Sequence, residues 1–292
     1  MKFPFQKVAL IGKYKSPEIA GSLLHLAAFL SSKGLTVVVD NLTGEHLKDV
    51  PYPLMTLAEI GSADAVDLAI VLGGDGTMLN IARTLAPCNI PLVGVNQGRL
   101  GFLTDLTLDN MQDSLAAMLK GKFVVEQRLL LTARVLRNDV EVFSGSAFNE
   151  VVVHRNNISS MIEFEVRMDG EYLYNQRADG LIIATPTGST AYAMSAGGPI
   201  LHPSLDVLEL VPVCPHTLSN RPIVVKGSAV LEILMHRTSD IRVRFDSHTS
   251  YDLQLHDKII VARHPQAACL LHPVGHSYYH TLREKLLWNQ TL

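Results

Sequence analysis

The residues best placed to do chemistry are Gly73-Gly74-Asp75-Gly76-Thr77, which follow an apolar run ending at Leu72 and precede a segment with helical spacing. Glycines in a strand-to-helix turn let backbone amides approach a phosphate, and the start of the helix favours negative charge there. Asp75 is at odds with simple phosphate binding, because a carboxylate repels phosphate. Its type suits a different role, either accepting the proton of a hydroxyl nucleophile or ordering a metal ion. A plainer reading stays open, in which Asp75 or Thr77 only caps the following helix. The common nucleotide and hydrolase signatures are absent. There is no GxxxxGK[ST], no HExxH and no GxSxG, and a full GxGxxG fails because Leu79 stands where the third glycine would fall.

The elements that must hold this turn alternate along the first 120 residues. Apolar runs at 7–12, 36–40, 66–72 and 91–96 read as buried strands, and amphipathic windows at 16–34, 77–85 and 109–120 as helices. Ser16, Pro17 and Gly34 supply start and stop signals for the first helix. Such alternation implies a parallel sheet covered on both faces, a Rossmann-like α/β domain over residues 1–122. From residue 123 the pattern changes to β-rich runs at 123–136, 146–155, 162–170 and 180–185. Polar turns at Arg137-Asn138-Asp139 and Met168-Asp169-Gly170 predict hairpins, so residues 123–275 are expected to form a mostly antiparallel, sandwich-like β domain. Residues 278–288 read as a short amphipathic helix, so the tail 276–292 is expected to complete the first domain.

Composition narrows the function classes. The chain has 292 residues, 47% hydrophobic and 18% charged, which fits two globular domains and excludes disordered or collagenous chains. A net charge of −3 provides no basic face for nucleic acid. Cys88, Cys214 and Cys269 stand far apart with no zinc spacing, and no apolar run reaches a membrane span, so a cytoplasmic protein with reduced thiols is expected. Six of the twenty glycines fall between Gly73 and Gly101, and Gly188, Gly197 and Gly198 flank a Ser/Thr-rich stretch.

Five blocks together resemble the bacterial NAD kinases: GGDGT at 73–77, GRLGFLTD at 98–105, FNEVVVH at 148–154, DGLIIATPTGSTAYAMSAGGPI at 179–200 and HTLSNRPIVV at 216–225. GGDG alone is shared with lipid kinases and 6-phosphofructokinases, whereas TPTGSTAY with Asn149-Glu150 is far more specific. The resemblance implies transfer of the γ-phosphoryl group of ATP to the 2′-hydroxyl of NAD's adenosine ribose, with Asp75 as general base and Mg²⁺ carried by ATP rather than by protein ligands. Gly73, Gly74, Gly76 and Thr77 would form the phosphate loop, with Gly76 also against the dinucleotide.

The resemblance places further NAD contacts in the β-rich half at Asn149, Glu150, Ser160, Arg177, Asp179, Thr190, Ala191, Tyr192, Ser195 and His248. An amide and a carboxylate at 149 and 150 suit ribose hydroxyls, although the pair alone also fits a solvated strand start. Arg177 and Asp179 suit phosphate and amide groups, or else a mutual surface ion pair. Thr190, Ala191, Tyr192 and Ser195 could surround an adenine, or form a helix-capping turn, or both. Ser160 and His248 depart from relatives that carry His and Gln there. Histidines 256, 264, 272, 276 and 280 match no metal-ligand spacing and are expected on different elements. A homodimer or homotetramer is implied by the resemblance. A lipid or sugar kinase with the GGDG turn, and a dinucleotide sensor without catalysis, remain as alternatives.

Overall fold

The computed structural model describes residues 4–288 apart from 15, 46, 48, 49, 99, 157–160, 238 and 239. The chain forms two compact units, Met1–Gln127 with Ala268–Leu292, and Arg128–Ala267. Among the described residues no helix is long and apolar enough to cross a membrane.

The first unit is built on an eight-stranded sheet. Across it run Leu54–Met55, Thr36–Asp40, Lys7–Gly12, Leu68–Leu72, Leu92–Asn96, Ala268–Pro273 and Phe123–Arg128, with Leu106–Thr107 beside Leu92–Asn96. The strands from Leu54–Met55 through to Ala268–Pro273 pair in parallel. Leu68–Leu72 and Leu92–Asn96 are buried at every position, as a sheet covered on both faces requires. The chain passes from Lys7–Gly12 outward in one direction and then returns to place Leu68–Leu72 on the other side. That reversal opens a crevice at the carboxyl ends of these two strands, where open α/β sheets bind ligands, and Gly73-Gly74 leave Leu72 at this point.

The expected helices form, with trimmed ends. A short 3-10 turn at Pro17–Ile19 leads into Ala20–Ser32, and Gly34 at φ +83° reverses the chain after it. Asp75–Leu85 buries Met78, Leu79, Ile81, Ala82 and Leu85 on one face, which fixes its first turn against the sheet. Met111–Met118 and Tyr278–Leu286 are the other two helices expected from the sequence.

The run 123–136 is not one strand: it breaks at Leu129-Leu130 into Phe123–Arg128 and Leu131–Arg137, one in each unit. Ala268–Pro273 also pairs into the first sheet, so the β-rich unit is narrower at both ends than the 123–275 read from composition.

The second unit packs two six-stranded antiparallel sheets. Alternation of buried and partly exposed residues in Leu131–Arg137, Ile162–Met168 and Ile241–Phe245 turns Val135, Phe164 and Phe245 into one apolar core. The expected hairpins form on left-handed residues, Asn138 and Asp139 at φ +51° and +60°, and Asp169 and Gly170 at +52° and +83°. Gly180–Ala184 lies at the middle of the other sheet and is buried at every position, its second face packed with Val152, Ala193 and Val211.

Candidate functional site

In the first unit the Asp75 side chain is held by main chain. Phe102 N–H donates to Oδ2 and Leu103 N–H to Oδ1, each at 2.9 Å, and Thr104 Oγ1 donates to Oδ1 at 3.3 Å. Behind Thr104, Asn96 Nδ2 donates to its hydroxyl at 2.8 Å, while Asn96 Oδ1 accepts from Gly98 N–H at 2.9 Å. The end of strand Leu92–Asn96 thus braces the carboxylate through a chain of buried polar groups. Gly101 makes the close approach possible, since a Cβ there would fall 2.2 Å from Asp75 Oδ1 and 2.3 Å from Thr104 Oγ1. A carboxylate offers about four lone-pair directions, so three donors leave one, on Oδ2, for a hydroxyl proton. Gly74 is the extended residue before the helix and makes no side-chain cap, and Asp75 is the first helical residue. Asp75 therefore does not spend its carboxylate on the helix cap, the plainer reading of the sequence.

In the second unit Glu150 opens strand Glu150–Arg155 and is buried. In register across the sheet, Glu150 pairs with Ala184 and Ala184 with Glu209, so two glutamates flank one small alanine on the same face. Asp246, at φ +49°, turns its carboxylate onto the amides of Phe148 and Asn149 at 3.1 and 2.8 Å. Burial pushes the Glu150 carboxyl up to about 8, helped by the charges of Asp246 and Glu209, while the Tyr192 amide pulls the other way. Burial alone pushes Glu209 to about 7. Glu150 Oε2 and both Glu209 carboxyl oxygens are buried without hydrogen-bond partners among the described residues.

A cavity of about 380 Å³ opens beside Glu150, with Tyr192, Asp179, Arg155, Arg244 and Asp246 on its walls. Of the residues singled out in this half, the structure gathers Glu150, Asp179 and Tyr192 here. Asn149 sits at the strand entry, its carbonyl accepting from Thr185 N–H at 2.8 Å. A Cβ at Gly188 would lie 2.2 Å from that carbonyl oxygen, which gives the glycine a packing role. Thr190 bonds back to the Thr187 carbonyl at 3.2 Å, Ala191 links the 3-10 turn Gly188–Thr190 to the short helix Tyr192–Ser195, and Ser195 is exposed.

Two of the named residues lie elsewhere. Arg177 is exposed on a separate cavity of about 900 Å³ with His216 and Arg221, and the ion-pair partner of Asp179 is Arg155, at 2.8 Å. The mutual Arg177–Asp179 pair considered from the sequence is therefore replaced by a pair that crosses between strands. His248 is exposed and is not on the 380 Å³ cavity, to which the two residues before it, Asp246 and Ser247, contribute. Ser160 lies outside the described residues. The sequence reading missed the amides of Phe102 and Leu103, the carboxylate of Asp246 and the buried Glu209. The glycines of GRLGFLTD were the available signal for the first of these.

Comparison with known proteins bears on both units. The ATP-NAD kinase N-terminal domain family matches residues 8–123, and the ATP-NAD kinase C-terminal domain family matches residues 148–272. A protein of Nitrosomonas europaea named NAD kinase is 58% identical over 288 residues, covering 99% of this chain and 97% of its own length. One of Nitrosospira multiformis with the same name is 60% identical over 289 residues, covering 99% and 98%. Among solved structures, yeast NADH kinase complexed with NADH is similar at a TM-score of 0.89 and 25% identity, over 99% of this chain and 89% of that one. An NAD kinase from Archaeoglobus fulgidus in complex with ATP is similar at 0.71 and 25% identity, over 97% and 98%.

Proposed function

This chain belongs to the NAD kinase family, and on that premise we propose that Asp75 accepts the proton of the 2′-hydroxyl on NAD's adenosine ribose while that oxygen attacks the γ-phosphorus of ATP. The O–P bond to ADP breaks as the new one forms, and the products are NADP, ADP and the proton taken by Asp75. The observation that carries this role is the backbone clamp, which leaves one acceptor direction on a carboxylate held from three sides. Orientation of this kind contributes because a base must meet its proton within hydrogen-bond reach. Gly73, Gly74 and Gly76 keep the turn free of side chains, and Thr77 sits one residue further into the helix.

Magnesium bound with ATP supplies neutralisation of phosphate charge. The resemblance to the family carries this ion on ATP, held by phosphate oxygens and water. In the second unit, Glu150 and Asp179 offer acceptors for ribose hydroxyls and Tyr192 a face for the adenine, while Asn149, Thr190, Ala191 and Ser195 are proposed to contact the dinucleotide from the segments that carry Glu150 and Tyr192. Arg177 and His248 would contact the dinucleotide only from outside this cavity. Three free thiols fit a reducing cytoplasm, and the resemblance to the family supports a homodimer or homotetramer, checked by light scattering.

The test is direct. Purified protein given NAD, ATP and Mg²⁺ forms NADP, read with an NADP-specific dehydrogenase; binding of NAD without turnover would instead mark a sensor. Asp75→Asn lowers kcat about 10²- to 10⁴-fold while NAD affinity stays within a few-fold. Collapse of NAD binding with kcat retained would make Asp75 a ligand clamp rather than the base.

A further inference from the structure

Within the first unit, four titratable side chains from separate parts of the sequence meet. Asp105 follows the Phe102–Thr104 clamp directly, Glu126 lies in strand Phe123–Arg128, His272 in strand Ala268–Pro273, and His276 in the turn after it. That turn is closed by His276 N–H donating to the Pro273 carbonyl at 3.1 Å, with Gly275 at φ +93°. It folds His276 back until its ring stacks on His272, centroids 4.1 Å apart and 16° from parallel. Sequence spacing could not reveal this arrangement, because the third partner, Asp105, is 167 residues away from His272.

Asp105 Oδ2 bonds both rings, His272 Nδ1 at short range and His276 Nδ1 at 3.1 Å. One ligand atom from each of Asp105, His272 and His276 lies within 4.8 Å of the other two, and this is the one such group of His, Cys, Asp or Glu among the described residues. Two further observations point to a ligand. Asp105 Oδ1 is buried without a hydrogen-bond partner among the described residues, on a side chain only 9% exposed. His272 Nε2 is engaged by Glu126 Oε2 at 2.9 Å, an outer carboxylate of the kind that fixes the ring orientation of a metal-ligating histidine.

We propose that Asp105, His272 and His276 form a site for a divalent transition metal of zinc type, with Glu126 as the outer partner of His272 and water completing a tetrahedron. The metal takes the place of the proton between His272 Nδ1 and Asp105, which leaves to solvent, so binding strengthens as pH rises. It would tie the C-terminal return of the chain to the segment that begins with the Asp75 donors. The proposal rests on these side chains alone and does not depend on the proposed mechanism.

The experiment titrates Co²⁺ into the full-length, chelator-treated protein without nucleotide at about pH 8, where proton competition is reduced. The expected result is the intense visible absorption of tetrahedral cobalt, saturating at one equivalent and bleached by Zn²⁺. His272→Gln and His276→Gln each abolish it, and Glu126→Gln keeps the spectrum but weakens affinity about ten- to a hundredfold. His280→Gln, in the exposed first turn of the C-terminal helix, leaves both unchanged. Absence of the tetrahedral spectrum in the unsubstituted chain overturns the proposal, as does a spectrum that survives His276→Gln in a folded protein. Because the unsubstituted chain alone can give the negative result, a variant that fails to fold does not shield the idea.

Discussion

Asp75 and Glu150 are both carboxylates proposed to face ribose hydroxyls, yet their surroundings are opposite. Asp75, in a loop-to-helix turn, receives two amides and a hydroxyl. Glu150 receives the Tyr192 amide, and its Oε2 has no donor among the described residues. The cause lies in the architecture. Amides of a loop such as 101–104 are not committed to a ladder and can turn onto a side chain. Most of those of Glu150–Arg155, Gly180–Ala184 and Val207–Val213 are taken up in the strand ladder, so Glu150 and Glu209 on that sheet face find few donors. The α/β unit therefore holds its carboxylate ready, while the β unit leaves acceptors to be completed by a ligand or a proton.

The comparison is tested most severely at Gly101. In Gly101→Ala the new methyl would overlap Asp75 Oδ1, at 2.2 Å, and must push the carboxylate or the 101–104 loop aside. A displacement near 1 Å costs about a hundredfold in kcat, or about 3 kcal/mol in the barrier. NAD affinity should change little, because the dinucleotide contacts proposed for the β unit are untouched. Unaltered kcat in a variant of normal thermal stability would show that the clamp does not position the base.

Glu209 measures the cost of the opposite arrangement. Its carboxyl is fully buried and pushed up to about 7 from 4.5, so the folded state keeps a proton that the unfolded state loses. Stability from this group is complete below about pH 4.5 and is lost as pH rises through about 7, amounting to about 3 kcal/mol at most. Glu209→Gln, neutral throughout, should unfold several degrees higher than the parent at pH 8.5 and lose that advantage at pH 4.5. A constant difference in melting temperature across that range would mean that Glu209 is not protonated in the folded chain.

How much of this was legible depended on whether the information was local. Lys7–Gly12 and Thr36–Asp40 were read to the residue, because apolar runs and punctuating glycines belong to the segment itself. The hairpins at Asn138-Asp139 and Asp169-Gly170 were legible for the same reason, their residues tolerating positive φ. Pairing between distant segments left no such mark. Nothing in Phe123–Arg128 announces that its neighbour is Ala268–Pro273, so residues 123–127 were placed with the second unit rather than the first. At the site, Asp75 and Glu150 were singled out by type and resemblance, but their surroundings could not be read from the sequence. The groups that hold Asp75 are main-chain amides of Phe102 and Leu103, which carry no residue signature. Asp179 found Arg155 rather than Arg177 because antiparallel register, invisible in one strand, decides which side chains meet.

A smaller effect separates binding from chemistry. With its carboxyl pushed up to about 8, Glu150 is mostly protonated at pH 7, and ribose hydroxyls that donate to it favour the ionised form. NAD affinity should therefore rise about tenfold from pH 7 to pH 9 and level off, with kcat following a different profile. Glu150→Gln should flatten the affinity profile. Retention of the full pH dependence in that variant would assign it to another group and weaken the contrast with Asp75.

The smallest expected change asks whether the hydroxyl in the clamp adds to the two amides. Thr104→Val keeps the shape but removes the group that links Asn96 Nδ2, at 2.8 Å, to Asp75 Oδ1, at 3.3 Å. The longer bond is the weaker, so the direct loss to Asp75 is modest, while the buried Asn96 donor is left unpaired. Together these amount to about 1 kcal/mol, a fall in kcat of about fivefold with KM for NAD unchanged, and Thr104→Ser should restore the rate. If Thr104→Val instead lowers stability by that amount and leaves kcat alone, the bracing from Asn96 belongs to the fold, and the amides of Phe102 and Leu103 suffice to aim the carboxylate.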